Sequence, residues 1–70
     1  MILARWESKS GKHWVELTRS ESGGIFYDAP RATGSLGRVT DEEAVADMQA
    51  RVDKGYFQPD ANKTPMKRVA

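Results

Sequence analysis

The chain has 70 residues, no cysteine, and a net charge of +1 that results from eleven basic and ten acidic side chains. This length suits one small domain, and without cysteine there is neither a disulfide framework nor a thiolate metal site. The balanced charge does not favour nucleic acid or a membrane surface as the main partner.

The first predicted element is a β-hairpin. Residues 2–7 alternate between apolar and polar side chains, and residues 12–19 are rich in aromatic and β-branched side chains. If residues 8–11 form the loop, the register of the whole hairpin follows from its length. The predicted cross-strand partners are Glu7 with Lys12, Trp6 with His13, and Arg5 with Trp14. In this register Trp6 points to the core and Trp14 to the opposite side.

A third strand is predicted at residues 25–28, after a turn at residues 20–24. Pro30 ends this strand because proline cannot donate a backbone hydrogen bond to a neighbouring strand. Residues 31–38 contain two glycines, and we expect an irregular loop there in which Leu36 fills the core.

The clearest local signal in the chain predicts a helix that begins after Thr40. Thr40 and Glu43 have the spacing of a capping box, in which a hydroxyl and a carboxylate each accept a backbone N–H. Gly55 supplies the left-handed conformation that commonly ends a helix. Apolar side chains at i, i+3 and i+7 form a stripe that can dock on the sheet, namely Val45, Met48 and Val52.

These elements predict an α+β fold over residues 1–57, a small antiparallel meander of about three strands packed against one helix. Residues 58–70 contain two prolines and few apolar side chains, so we expect an extended or disordered basic tail. The predicted core consists of these apolar residues: Ile2, Ala4, Trp6, Val15, Leu17, Leu36, Val45, Met48, Val52 and Phe57.

The sequence does not predict a catalytic or metal site. His13 is the only imidazole, and its predicted face carries neither a nucleophile nor an orienting carboxylate. The acidic residues 41–43 and Asp47 spread over several helix faces, and capping and the helix dipole explain them. Residues 34–37 lack the Lys-Ser/Thr that completes a phosphate-binding loop. We therefore expect no enzyme activity, no metal and no cofactor.

The predicted binding surface is the outer face, meaning the side of the sheet away from the helix. An aromatic side chain that the core does not need can stack on a base or fill a pocket in a partner. Two other interpretations stay open: Trp14 is simply stacked with Arg5 as a cation–π pair, or residues 29–39 fold over this face. The predicted binding residues on this face and in the tail are Arg5, Lys12, Trp14, Tyr27, Lys63, Lys67 and Arg68.

Three segments within residues 12–56 resemble a WGR domain: the KHWVEL strand, the TGSLG loop and the DEEAVADMQARVDKGY helix. They occur in the same order as the strand, glycine-rich loop and helix of that family, and the resemblance implies association with nucleic acid. The Trp-Gly-Arg tripeptide of the family is absent, and Pro30-Arg31-Ala32 stands near its position. A strand that usually lies between the loop and the helix is not predicted.

The sequence thus predicts a small non-catalytic binding protein that acts through protein–protein contacts, for example as an accessory or host-modulating factor. The alternative is a nucleic-acid-binding module that uses the outer face and the basic tail. We expect a monomer, or a homodimer that forms through an open sheet edge. The apolar start of the chain ends at Arg5, too soon for a signal peptide, so a cytoplasmic protein without membrane contact is expected.

The helix stripe leads to a first test, the substitution Met48→Ala. We expect it to lower the free energy of unfolding by about 2–5 kcal/mol, because it removes buried apolar volume and leaves a cavity. A thermal melt followed by circular dichroism measures the effect. A melt that matches the unaltered protein would show that this stripe does not dock on the sheet.

Overall fold

The computed structural model describes residues 1–57 and 66–70 of the chain. Its strands form one antiparallel sheet in the order β4-β3-β2-β1-β5, and the described part contains one helix, which packs on one face of the sheet. The elements are β1 (Ile2–Glu7), β2 (Trp14–Arg19), β3 (Ile25–Ala29), β4 (Ala32–Gly37), α1 (Asp41–Asp53) and β5 (Lys67–Arg68). The α+β class is confirmed, but the sheet has five strands where about three were predicted.

The loop of the first hairpin is longer than predicted. β2 begins at Trp14, so residues 8–13 form the loop. The observed partners are Glu7 with Trp14, Trp6 with Val15, and Arg5 with Glu16, and the predicted pairs are therefore wrong. The shift is two residues, and side chains alternate between faces with a period of two. Trp6 therefore still faces the core, and Trp14 still lies on the outer face.

Ile2 is 55% exposed, so its predicted place in the core is wrong. A β-bulge between Ile2 and Ala4 shifts the pairing: Ala4 lies opposite Leu17, but Ile2 lies opposite Thr18 and not opposite Arg19, as an unbroken register would require. A bulge inserts one extra residue and breaks the alternation of side chains along its strand. The sequence contains no glycine or proline at this point that could have indicated the bulge.

Residues 31–38 were predicted as an irregular loop and instead contain strand β4. Ala29 pairs with Ala32, so Pro30 and the residue after it alone form the turn between β3 and β4. Proline suits the first central position of such a turn because its ring fixes φ near about −65°. Pro30 does end β3, as predicted, but it does so by starting the two-residue turn of the hairpin between β3 and β4.

The helix begins after Thr40 and ends before Gly55, as the sequence predicts, and Thr40 supplies its half of the predicted capping box. The Thr40 hydroxyl accepts a hydrogen bond from the backbone N–H of Glu43 at 3.1 Å. At the other end Gly55 has a φ of 76°, and the Tyr56 N–H donates to the Arg51 carbonyl at 3.0 Å. This backbone turn satisfies a terminal carbonyl and directs the chain back toward the sheet.

Trp6 is the largest fully buried side chain, and it lies between the sheet and α1. Its indole Nε1–H donates to Gln49 Oε1 at 2.7 Å, which links β1 to the middle of the helix. Of the remaining predicted core, Leu36, Val45 and Phe57 are only partly buried. Among the residues that the structure describes, the buried apolar ones are Ala4, Trp6, Val15, Leu17, Ile25, Ala29, Ala44, Met48, Val52 and Met66.

Residues 66–70 are docked on the sheet, whereas the sequence predicted an extended or disordered tail. Met66 is 4% exposed and belongs to the core. The Val69 N–H donates to the Arg5 carbonyl at 2.8 Å, alongside the pairing of β5 with β1. The segment is extended, as expected, but a strand partner and a buried side chain hold it in place. Lys63, one of the predicted binding residues, lies outside the described residues.

Within residues 1–57 and 66–70, no helix has the length and apolarity that crossing a bilayer requires.

Docking of the C-terminal segment can be tested with Met66→Ala. We expect this change to lower the free energy of unfolding by about 2 kcal/mol or more, because a core methionine is truncated. Val69→Ala is the matched control: Val69 lies three residues further along and is 56% exposed. Its effect should stay within about 0.5 kcal/mol, as for ordinary surface changes. Equal effects of both changes in urea unfolding would contradict the docking of this segment.

Candidate functional site

The outer face carries Trp14 at the start of β2, the middle strand of the sheet. The guanidinium carbon of Arg5 lies 4.7 Å from the centroid of the Trp14 ring, a cation–π distance. Residues 29–39 do not cover this face, because most of them belong to strands β3 and β4 within the sheet. The structure therefore contains the cation–π pair, and the interpretation that residues 29–39 cover this face is wrong.

Two carboxylates hold Arg5 in this position. Its Nε donates to Glu7 Oε2 at 2.7 Å, and its Nη1 donates to Glu16 Oε2 at 3.0 Å. The hydrogen bond to Glu7 and then that to Glu16 raise the pKa of the Arg5 guanidinium above its usual value. The cation is therefore already matched by two anions. The Arg5 side chain orients the indole ring. Because its guanidinium is already paired with Glu7 and Glu16, it is not available to bind a phosphate.

The rest of the outer face is mixed in character and slightly acidic. Phe26 on β3 is 46% exposed, and Asp28 is placed on the same face by its pairing with Glu16. Lys67 on β5 lies opposite Glu7 and therefore shares this face. The charged residues that the sheet register places there are Glu7, Glu16 and Asp28 against Arg5 and Lys67. Among the described residues, the face thus combines two aromatic rings with a small excess of carboxylates.

Tyr27 is not on the outer face, which corrects the prediction. It pairs with Leu17, a core residue, and so points toward the helix. Its ring meets the ring of Phe57 edge to face at a centroid distance of 5.5 Å. The ring also lies directly over Gly34, where an added Cβ atom would come within 2.5 Å of the Tyr27 hydroxyl. Glycine at position 34 therefore makes room for this aromatic contact.

The other predicted binding residues are scattered. Lys12 is in the loop before β2, and it lines a groove on the helix side of the sheet. Arg68 pairs with Trp6 and so points away from the outer face, where its Nε donates to the Ala70 carbonyl at 2.9 Å. The structure thus brings Arg5, Trp14 and Lys67 to one face and does not gather the predicted basic residues into one patch.

The groove, which we call the aromatic groove, has a volume of about 680 Å³. The loop before β2, the turn between β3 and β4, and the two residues that follow Gly55 enclose it. Its lining residues are Lys12, His13, Ala29, Pro30, Arg31, Ala32, Tyr56 and Phe57. Apart from Lys12, these residues were not predicted as site residues. The one available signal was the aromatic pair directly after the helix stop, and in the sequence it indicated only packing.

His13 lies half-buried at this groove, and the polar groups nearest to it in the sequence have structural roles. The Ser8 hydroxyl accepts a hydrogen bond from the His13 backbone N–H at 3.1 Å, and the Ser8 N–H donates to the His13 carbonyl at 2.8 Å. The Glu7 carboxylate is bonded to Arg5. Ser8 therefore closes the loop, and Glu7 orients the outer face.

Among the residues that the structure describes, no group of three or more His, Cys, Asp or Glu side chains has the spacing to hold a metal ion.

Comparison of the chain with protein-family models, with curated proteins and with solved structures finds no match. The resemblance of residues 12–56 to the WGR domain is therefore not supported by a family match. In addition, the TGSLG segment lies within β4 and is not a loop.

The contact between Tyr27 and Gly34 can be tested with Gly34→Ala. In a strand, alanine in place of glycine is normally favourable, but here the new Cβ meets the Tyr27 ring. We expect a loss of about 1–3 kcal/mol in the free energy of unfolding, as for other overpacked sites. Near-ultraviolet circular dichroism should report the displaced tyrosine. Thr33→Ala, one residue away and exposed, is the control and should leave the aromatic signal unchanged.

Proposed function

We propose that this protein is a non-catalytic binding protein that contacts another protein through its outer face. The observation that carries the proposal is the half-buried Trp14 on the middle strand, held by Arg5 on a face that no other described element covers. Tryptophan is among the residues that most often dominate the binding energy of protein interfaces. Phe26, which is 46% exposed on the neighbouring strand, extends the same apolar surface.

The hydrogen bonds around Arg5 favour binding because they order the site in advance. A side chain that is already held loses less conformational entropy when a partner covers it. Glu7 and Glu16 are only 37% and 28% exposed on their side chains, so the arrangement is partly shielded from solvent. A partner can therefore dock on an indole ring whose position is set before contact.

The charges of the outer face favour a protein over nucleic acid as the partner. A nucleic-acid interface neutralises phosphates with lysine and arginine, and its affinity depends on that neutralisation. Here Glu7, Glu16 and Asp28 lie on the face of Trp14, and Arg5 is paired with two of them. Carboxylates at this density repel a phosphate backbone and suit a partner with cationic side chains around an apolar centre.

A non-catalytic role is supported by the surroundings of His13. The Ser8 hydroxyl closes the loop, and the Glu7 carboxylate is bonded to Arg5, so neither is arranged to act with the imidazole.

Trp14→Ala tests the proposed face. Immobilised protein is used to capture partners from a native lysate treated with nuclease, and the partner found is then titrated against each variant. We expect Trp14→Ala to weaken binding by about thirtyfold or more, the size of a typical interface hot spot. The stability loss should be only about 1 kcal/mol, because the ring lies outside the core and a cation–π contact on a partly solvated surface is weak.

Thr33→Ala is the matched control, since Thr33 is exposed on the same face two strands away from Trp14. It should leave the affinity unchanged. Two results would contradict the proposal: unfolding caused by Trp14→Ala, or capture that disappears when nucleic acid is digested. Direct binding of nucleic acid, with an affinity that falls steeply as salt rises, would likewise indicate phosphate contacts and favour the nucleic-acid alternative.

A further inference from the structure

The aromatic groove lies on the helix side of the sheet and does not belong to the outer face. The helix ends at Gly55, whose φ of 76° turns the chain so that Tyr56 and Phe57 leave the helix and form one wall. Its volume of about 680 Å³ falls within the usual range of ligand pockets. Tyr56 is 67% exposed, so its ring is accessible to a ligand in the groove.

Contacts with the sheet and the helix hold Tyr56 and Phe57, the aromatic wall of the groove, in position. The ring of Tyr56 meets Phe57 edge to face at 5.2 Å, and Phe57 in turn meets Tyr27 at 5.5 Å. The Arg51 guanidinium lies 5.7 Å from the Tyr27 ring and 5.9 Å from the Tyr56 ring. A chain of contacts from the sheet and the helix therefore fixes the apolar surface of the groove.

Cationic groups edge the groove. Lys12 and Arg31 are exposed at its rim, and the His13 imidazole is half-buried beside them. None of the described lining residues carries a carboxylate. The four ion pairs between described residues use the cations of Arg5, Arg19 and Arg51, so neither rim cation takes part in them.

From this arrangement we infer that the aromatic groove binds an acidic peptide segment of a partner, with a large apolar side chain against Tyr56 and Phe57 and carboxylates toward Lys12 and Arg31. Charge complementarity selects the anion, and the fixed aromatic wall selects the apolar side chain. One of the lining residues, Ala32, is the first residue of edge strand β4. A sheet edge offers backbone groups to an extended chain, which favours a peptide over a free small acid.

This inference is independent of the function proposed for the outer face. Trp14 lies on the opposite side of the sheet, so Trp14→Ala should leave peptide binding in the groove unchanged. The two proposals can therefore fail separately.

The test uses a fluorescein-labelled synthetic peptide in which one phenylalanine is flanked by glutamates. It is titrated with the full chain and followed by fluorescence polarisation. We expect saturable binding, weakened about tenfold or more by Lys12→Glu and by Arg31→Glu, because each change turns an attraction into a repulsion. Lys9→Glu is the matched control: it makes the same charge change in the same loop, and Lys9 does not line the groove. At physiological salt its effect should be small because more distant charges are screened.

Peptide variants test separately the contribution of the carboxylates and that of the apolar side chain. Replacing the glutamates by glutamine, or the phenylalanine by alanine, should each remove most of the binding, and so should Tyr56→Ala in the protein. Far-ultraviolet circular dichroism confirms that each protein variant is folded, which is expected because these side chains are exposed.

Four results would overturn the inference. They are the absence of binding to the unaltered protein, equal binding of the glutamine peptide, equal effects of the groove changes and Lys9→Glu, and equal affinity for N-acetylphenylalanine. The last result would assign the groove to a free aromatic acid in place of a peptide.

Discussion

The burial of Trp6 between the sheet and the helix is the interaction on which the rest of the structure depends. A fully buried indole removes roughly 150–250 Å² from water, which stabilises the fold by about 4–6 kcal/mol as an upper estimate. In a chain of 70 residues this is a large share of the total stability. The Nε1–H of Trp6 has to be satisfied, and Gln49 accepts it at 2.7 Å. This bond fixes where along the helix the sheet docks.

Once Trp6 faces the helix, the alternation of side chains along β1 sends Arg5 and Glu7 to the other side. The same rule on β2 sends Val15 inward and Trp14 outward. The two tryptophans therefore have opposite roles, one as the centre of the core and one as part of a surface. At the far end of the sheet, the Arg19 Nε donates to Asp41 Oδ1 at 2.7 Å and ties β2 to the start of the helix.

A sheet with a helix on one side leaves two different kinds of surface. The outer face is aromatic and slightly acidic, and its Arg5 guanidinium is paired with Glu7 and Glu16. The aromatic groove is concave and edged by Lys12 and Arg31. Their opposite electrostatic character suits different partners, or two parts of one partner, because like charges across an interface are unfavourable. The net charge of +1 does not reveal that acidic and basic side chains lie on different surfaces of the protein.

The α+β class, the helix ends and the side of the sheet that each tryptophan occupies were determined by the sequence itself, because they follow from local rules. A threonine cap, a glycine stop and period-two alternation act between residues close together in the chain. The predicted register was wrong by two residues, but the faces assigned to Trp6 and Trp14 were right, because a shift of two residues leaves each side chain on the same face.

Only the tertiary structure decided the remaining features, since they depend on residues far apart in the chain. β4 is a strand because β3 offers it an edge, despite its glycines, and Gly34 is needed there to admit the Tyr27 ring. β5 exists because β1 has an unpaired edge and the core has room for Met66. The aromatic groove forms where a loop, a turn and a helix end meet. Local sequence patterns do not predict β4, β5 or the groove, because the free energy that stabilises them comes from packing between segments far apart in the chain.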